Sequence, residues 1–519
     1  MRRSRIRLCR SVTDPLAPMK NKVSIVIVLV ASATLATSHV AAADQFDEVR
    51  EKIRLKLKEK DVPSISVAIA QGDRILWEEG FGWADKENKI AATEHIPYML
   101  GSTSKPITAT AVLVLRERGH VDLDRPINDY LGETKLRARI GKESGATVRR
   151  VIQHMAGLPA YYESYYPDEP DKPPALDLVI HRYGMLMLPP DERFHYSNLG
   201  YAVLGGVITR ASGKSFGDFL REEVFLPLGM GHSFIVEHDR RNRLQDLDLP
   251  RAIRYSAERK RLPDYATPHP PASDIYSSAH DLARFGLFHL KAHLADQKPI
   301  LADKAIVEMQ QSTVPMGKDA YGLGWHIRKG PKGRRHVLHG GASAGVDAQL
   351  TLIPEEKLCV VVLANVTRHF PGAVTEQVTN IVLASILGGK SEEFPILQPD
   401  LRPKALSLPE SLQGKWTGTV STHQADLPVA LWCRTSGEID AQLADQSKTA
   451  VTEVRFESGV LTGKMAGSVG TSDAKRRPYD LEWDLTLRGD KIDGLLYAVG
   501  RQGGRGLRLG YWVDFQRAK

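Results

Sequence analysis

The stretch that decides the fold is residues 101–119, GSTSKPITATAVLVLRERG. Ile107, Ala109, Ala111, Val112, Leu113, Val114 and Leu115 leave this helix almost no polar face before Gly119 ends it, so it belongs in a core. Pro106 is tolerated only in a first helical turn, which puts the helix start near Ser102. Ser102 and Lys105 then stand on one face at the helix mouth, close enough for the amine to lean back on the hydroxyl. Backbone N–H groups at such a terminus favour developing negative charge. A capping serine beside a snorkelling lysine would give the same four letters, and S-x-x-K alone is a weak signal. A second copy, Ser472-Asp473-Ala474-Lys475, falls in a polar, basic loop and reads as a solvated turn.

Outward from this helix the chain alternates between patterns. Before it, SISVAIAQGDRILWEEGFGWAD reads as two strands about a Gln71-Gly72-Asp73 turn, so the domain is expected to open with a hairpin. Helices and loops follow to about Leu294, two of them with capping signatures: Ser215 with Asp218, and Ser278 with Asp281. Strand patterns return in YGLGWHIRKG, HVLHGG, VDAQLTLIP and KLCVVVLAN, and a helix over about Val374 to Leu387 closes the unit. Strands at both ends with helices between predict one antiparallel sheet joined from both termini. A Pro-rich linker is expected at 389–410. Short strands alone fill 411–519, including a hairpin at Ser458-Gly459 and the alternating Tyr479, Leu481, Trp483, Leu485 and Leu487 before a Gly489-Asp490 turn.

Composition narrows the function. The 519 residues carry a net charge of +8, 42% hydrophobic and 25% charged side chains, as an ordinary globular protein does. Residues 1–43 hold seven basic residues against Asp14, six of the eight charges, so the remainder carries only +2. That leaves no electrostatic case for nucleic acid or an anionic membrane as partner. The same segment reads as a cleavable signal peptide: a basic MKNK, the apolar VSIVIVLVASATLAT, and small residues up to a cut near Ala42 or Ala43. A periplasmic or secreted chain, with no stable membrane span after the cut, is expected. Cys359 reads as a buried free thiol and Cys433 falls in another domain. The 17 histidines show no metal-ligand spacing, so neither metal nor cofactor is expected.

Two more motifs follow in order: Tyr196-Ser197-Asn198 in FHYSNLGYAVLGG, the only Y-x-N, and His339-Gly340-Gly341 at a strand end, the only H-x-G. Singly, they read as a core tyrosine and a strand-end histidine. With S-x-x-K they resemble the ordered set of the serine β-lactamase and penicillin-binding protein superfamily, on its class C side. VIQHMAGLP, SFGDFLREEVFLPLGMGHS, SDIYSSAHDLARFGLFHL, YGLGW and HGGASAGVDAQLTLIPEEKLCVVVLAN extend that resemblance over about residues 45–388.

The resemblance implies an α/β (α+β) fold: an antiparallel sheet with a helical subdomain over 44–388, followed by an all-β barrel that resembles the lipocalin-like appendages of some relatives. It implies an exported serine hydrolase that forms an acyl-enzyme on an amide or ester, a D-amino-acid peptide or small ester. Ser102 resembles the nucleophile and Tyr196 the general base, acting directly or through Lys105; Asn198 resembles the side chain that orients Lys105 and substrate. The N–H groups of Ser102 and Ala342, after Gly341, resemble the oxyanion donors. His339 stands where class C β-lactamases carry lysine, and a histidine of pKa about 6.5 is mostly neutral at pH 7. No E-x-x-L-N stretch supplies a deacylating carboxylate. Weak β-lactamase activity at best is therefore expected, the H-x-G form being similar to D-aminopeptidases, DD-peptidases and esterases. The alternatives are a slow-deacylating penicillin-binding protein or a weak class C-type β-lactamase.

Overall fold

Alternation along two neighbouring strands sorts the main core into two layers. In strand Ser64–Gln71, Ile65, Val67 and Ile69 face one side and Ala68 and Ala70 the other. Strand Leu358–Ala364, paired antiparallel beside it with Ile65 opposite Ala364, sorts Val360 and Val362 from Cys359, Val361 and Leu363 in the same way. Both faces of this sheet are therefore covered. One lies under helices Asp47–Lys60 and Val374–Leu387, the other under helix Ala279–His289 and the helical subdomain.

The computed structural model describes residues 45–236, 250–368, 373–391, 408–501 and 506–518. The signal-peptide reading of 1–43 and residues 392–407 of the linker reading lie outside them. The first sheet runs in the order 314–316, 319–321, 326–329, 335–343, 346–353, 358–364, 64–71, 74–85 and 90–91, antiparallel throughout. The expectation that both chain ends of this unit meet in one sheet holds. A small three-stranded sheet (Tyr98–Met99, Ile275–Ser277, Phe234–Ile235) leads into the serine turn. Helix Ser104–Glu117 has every residue from 104 to 115 buried, as its composition requires. Among the described residues no helix is long and apolar enough to cross a membrane.

The C-terminal strands form a nearly closed antiparallel barrel. Its first strand, Gly414–Ser421, pairs with its last, Leu507–Arg517, and the path ends at Thr449–Ala450 and Thr452–Glu457, with only Val451 between them. Tyr479, Leu481, Trp483 and Leu485 point inward, alternating as read, with Leu487 half-buried at the strand end. Cys359 and Cys433 are both free and buried.

Two expectations need correction. Helix Asp47–Lys60, not the hairpin, opens the unit. Its apolar stripe is narrow, Val49 and Ile53 buried among charged neighbours, and that charge hid the helical period. The Ser472–Lys475 loop is not wholly solvated. Asp473 and Ala474 are buried at the start of a single 3-10 turn, because Tyr183 and Arg182 dock on the Asp473 carboxylate.

Leu350, fully buried in the middle strand 346–353, tests the core. Leu350→Ala should cost about 2–5 kcal/mol, read as a lower urea midpoint with an unchanged slope.

Candidate active site

Ser102 stands in a one-turn 3-10 helix, Gly101–Thr103, that runs straight into helix Ser104–Glu117. Gly101 is at φ +53°, a left-handed conformation that favours glycine. A Cβ at Gly341 would fall 1.8 Å from the Leu100 carbonyl oxygen, so only glycine lets strand Arg335–Ser343 lie against this turn. The Thr103 hydroxyl donates to the His339 carbonyl at 3.3 Å, locking strand to turn. The backbone of Gly341 and Ala342 is thereby set beside Ser102.

Three oxygens surround the Lys105 amine: Ser102 Oγ at 3.1 Å, Asn198 Oδ1 at 2.8 Å and the Ala272 carbonyl at 3.0 Å. The rings of Tyr196 and Tyr201 lie 4.6 and 5.4 Å away. Lys105 is fully buried, and desolvation lowers its pKa well below the ordinary lysine value against the opposing pull of Asp274. Asn198 Oδ1 and the Ala272 carbonyl can only accept, so they take two N–H bonds. In the neutral amine the one remaining position is a lone pair, and it faces Ser102. Burial raises the Tyr196 phenol pKa against the opposing pull of the Ser102 side chain. Both shifts favour the uncharged pair, a free amine beside a protonated phenol.

The strand-like segment before helix Asn198–Ser212 holds Tyr196 from both sides. Ser197 caps that helix through Gly200 N at 3.0 Å and donates its hydroxyl to the Pro159 carbonyl at 2.7 Å. Ser197 N donates to His154 Nδ1 at 3.1 Å, and the His154 ring packs 4.3 Å from that of Tyr196. His154 is itself held at φ +61°, a strained conformation for a residue with a side chain. On the other flank, His195 Nδ1 donates to the Leu158 carbonyl at 2.9 Å, and its Nε2 lies 3.1 Å from Tyr497 Oη. Tyr497 belongs to the barrel and also accepts from Ala160 N at 3.1 Å.

A second barrel contact reaches the opposite wall. Strand Tyr162–Glu163 pairs with Leu507–Arg508, Arg476 and Arg477 bind Glu169, and Tyr162 Oη lies 2.7 Å from Ser343 Oγ.

The structure thus gathers the side chains of Ser102, Lys105, Tyr196 and Asn198 and the backbone of Gly341 and Ala342. His339 joins through its carbonyl. Its imidazole instead bonds the Gly340 carbonyl at 2.8 Å and Tyr321 Oη at 3.3 Å, and burial lowers its pKa well below 6.5. Sequence reading missed His154, Tyr321, the Ala272 carbonyl and Tyr497. The first two sit inside stretches already singled out, VIQHMAGLP and YGLGW. Tyr497 carries no local signal, since its partners lie in another part of the chain.

A protein-family model, Beta-lactamase, matches residues 49–382. Penicillin-binding protein 4* of Bacillus subtilis (strain 168) is 26% identical over 449 residues, covering 81% of this chain and 93% of the relative. Among solved structures, SurE superposes with a TM-score of 0.63 at 21% identity over 91% of this chain and 99% of SurE, barrel included, and it has also been solved with D-Leu. A class C β-lactamase superposes with a TM-score of 0.56 at 20% identity over 68% of this chain and 99% of its own.

Burial lowers His154 and His339 well below 6.5 and His326 to about 4. Nitrogen-15 spectra should show all three imidazoles uncharged at pH 5.5. Below pH 6.5 the unfolded chain binds more protons at these sites than the folded one, so these groups should lower stability steadily as pH falls from 6.5 toward 4.

Proposed function

Because this chain belongs to the β-lactamase family and is a serine hydrolase, we propose that it opens amide or ester bonds through an acyl-enzyme on Ser102. The observation that carries this reading is the buried Lys105 Nζ 3.1 Å from Ser102 Oγ, its other two contacts, Asn198 Oδ1 and the Ala272 carbonyl, being acceptors only. Oγ attacks the substrate carbonyl and its proton passes to Lys105 Nζ. The N–H groups of Ser102 and Ala342 take the developing oxyanion. As the tetrahedral intermediate collapses, the leaving group takes the proton of the Tyr196 hydroxyl, and Lys105 returns its own to the phenolate. Water then repeats the cycle against the acyl carbonyl, with the same two groups moving the proton. Lys105 is the formal base in this order, since burial favours its free amine while keeping the phenol protonated.

The acyl side is a D-amino-acid residue of a short peptide, or a comparably small ester. A neutral His339 where class C enzymes have a cation supports this choice, because a β-lactam carboxylate would find no fixed positive charge there. The SurE structure holding D-Leu supports a D-amino-acid moiety. The leader read in residues 1–43 supports action outside the cytoplasm. The resemblance to Penicillin-binding protein 4* favours one second reading, a protein that β-lactams acylate and that deacylates slowly.

Ser102→Ala should abolish fluorophosphonate labelling and all hydrolysis; labelling that survives would place the nucleophile elsewhere. In a panel of D-Ala p-nitroanilide, short p-nitrophenyl esters and nitrocefin, the first two should be turned over and nitrocefin hardly at all. Intact mass after β-lactam addition separates the readings: a lasting adduct means the slow binder. Tyr497→Phe removes the hydroxyl that braces the segment before Tyr196. It should lower kcat about 10-fold with KM little changed, about 1.4 kcal/mol of transition-state stabilisation.

A further inference from the structure

On the flank of the sheet, away from Ser102, four side chains from four stretches of chain converge. Glu78 comes from strand Arg74–Asp85, His95 from the loop before Tyr98–Met99, His232 from the turn before Phe234–Ile235, and His280 from the first turn of helix Ala279–His289. One donor atom each of Glu78, His95 and His280 lies within 4.8 Å of the others. His280 Nδ1 sits 2.9 and 3.1 Å from the two Glu78 oxygens. His95 lies between two further imidazoles, its ring centre 4.7 Å from that of His280 and 4.9 Å from that of His232.

Two polar atoms here lack the partners that burial demands. His95 Nδ1 is enclosed without a hydrogen bond. Asp281, fully buried, offers one oxygen to His232 N and Ser233 Oγ, while Oδ1 has no hydrogen bond and lies 3.7 Å from His232 Nδ1. Enclosed polar atoms without partners are uncommon in folded proteins and cost free energy. A divalent cation of the zinc type would give these groups a shared partner, since it takes imidazole nitrogen and carboxylate oxygen together. Side-chain exposures of 44% for His95, 45% for His232 and 24% for Glu78 and His280 leave the cluster open to solvent, so an ion can reach it.

We propose that Glu78, His95 and His280 form a binding site for a zinc-type divalent cation, with the His232 ring stacked on that of His95. No pair of these ligands shares a helix, so no spacing in the sequence could announce it. The ion's task is structural. His95 stands just before strand Tyr98–Met99, which leads into the Ser102 turn, and His280 just after strand Ile275–Ser277, which pairs with it and follows the Ala272 carbonyl. One ion would tie together the outer ends of both strands that frame Lys105.

The test uses the untagged full chain, stripped with chelator and titrated with Zn²⁺ by calorimetry and with Co²⁺ by visible absorption. One ion per chain, a tetrahedral Co²⁺ band and a rise in thermal midpoint with Zn²⁺ are expected. Ca²⁺ should give no such rise. His95→Ala and His280→Ala should each weaken binding by about 10- to 100-fold, while Ser102→Ala binds as the parent does. Circular dichroism of the two histidine variants keeps misfolding distinguishable from lost ligation. Absence of stoichiometric binding, or full affinity in a folded His95→Ala/His280→Ala double variant, would overturn the proposal.

Discussion

The burial of one amine organises this molecule. Lys105 sits in a helix buried from residue 104 to 115, where an ammonium would be costly, and the surrounding fold supplies what makes that position tolerable. Asn198 brings an amide oxygen from the start of one helix, and Ala272 a carbonyl from another. Ser102 completes the set from the turn just upstream. Each partner comes from a different element, so the helical subdomain and the sheet must assemble around the amine before any of them is placed. Asp274 opposes the desolvation from nearby without pairing directly with the amine in a hydrogen bond. The outcome is a hydroxyl beside an amine that burial favours uncharged, in a setting where an ion pair would be expensive.

The barrel belongs to the same argument. Its hydroxyl at Tyr497 sits between two backbone segments that flank Tyr196, and its last strand extends into Tyr162–Glu163, whose tyrosine meets Ser343 beside the Ala342 backbone. The Tyr196 side and the Ala342 side of the cluster are thus each one contact removed from the same appended unit. An accessory module that merely shaded the cleft would need neither connection.

Much of this was legible in the chain of letters, and what was not has definite reasons. Helix 104–117 announced itself because it is apolar on every side, and the two-ended sheet because its strands alternate or run wholly apolar. Ser102, Lys105, Tyr196 and Asn198, which the structure brings together, could be singled out because they sit in short ordered motifs. Helix Asp47–Lys60 was missed because two buried residues among many charges make too faint a stripe. The role of the His339 imidazole was not legible either: neighbours distant in sequence, Tyr321 above all, decide where the ring turns. Asp473 looked solvated for the same reason, since Tyr183 and Arg182 reach it from nearly three hundred positions away. Local pattern reports what a residue prefers; it is silent on which remote surface will come to meet it.

The pairing of Ile65 with Ala364 carries a consequence for how the chain comes to be folded. The hairpin emerges early from the ribosome, yet the neighbour that seals its inner edge is synthesised only near the end of the unit. Until then a strand that is buried along nearly its whole length in the finished fold has an open edge, the kind of surface on which chains stick to each other. Closure over so long a loop is slow. The polypeptide must therefore wait, extended or escorted, for most of its own length to appear.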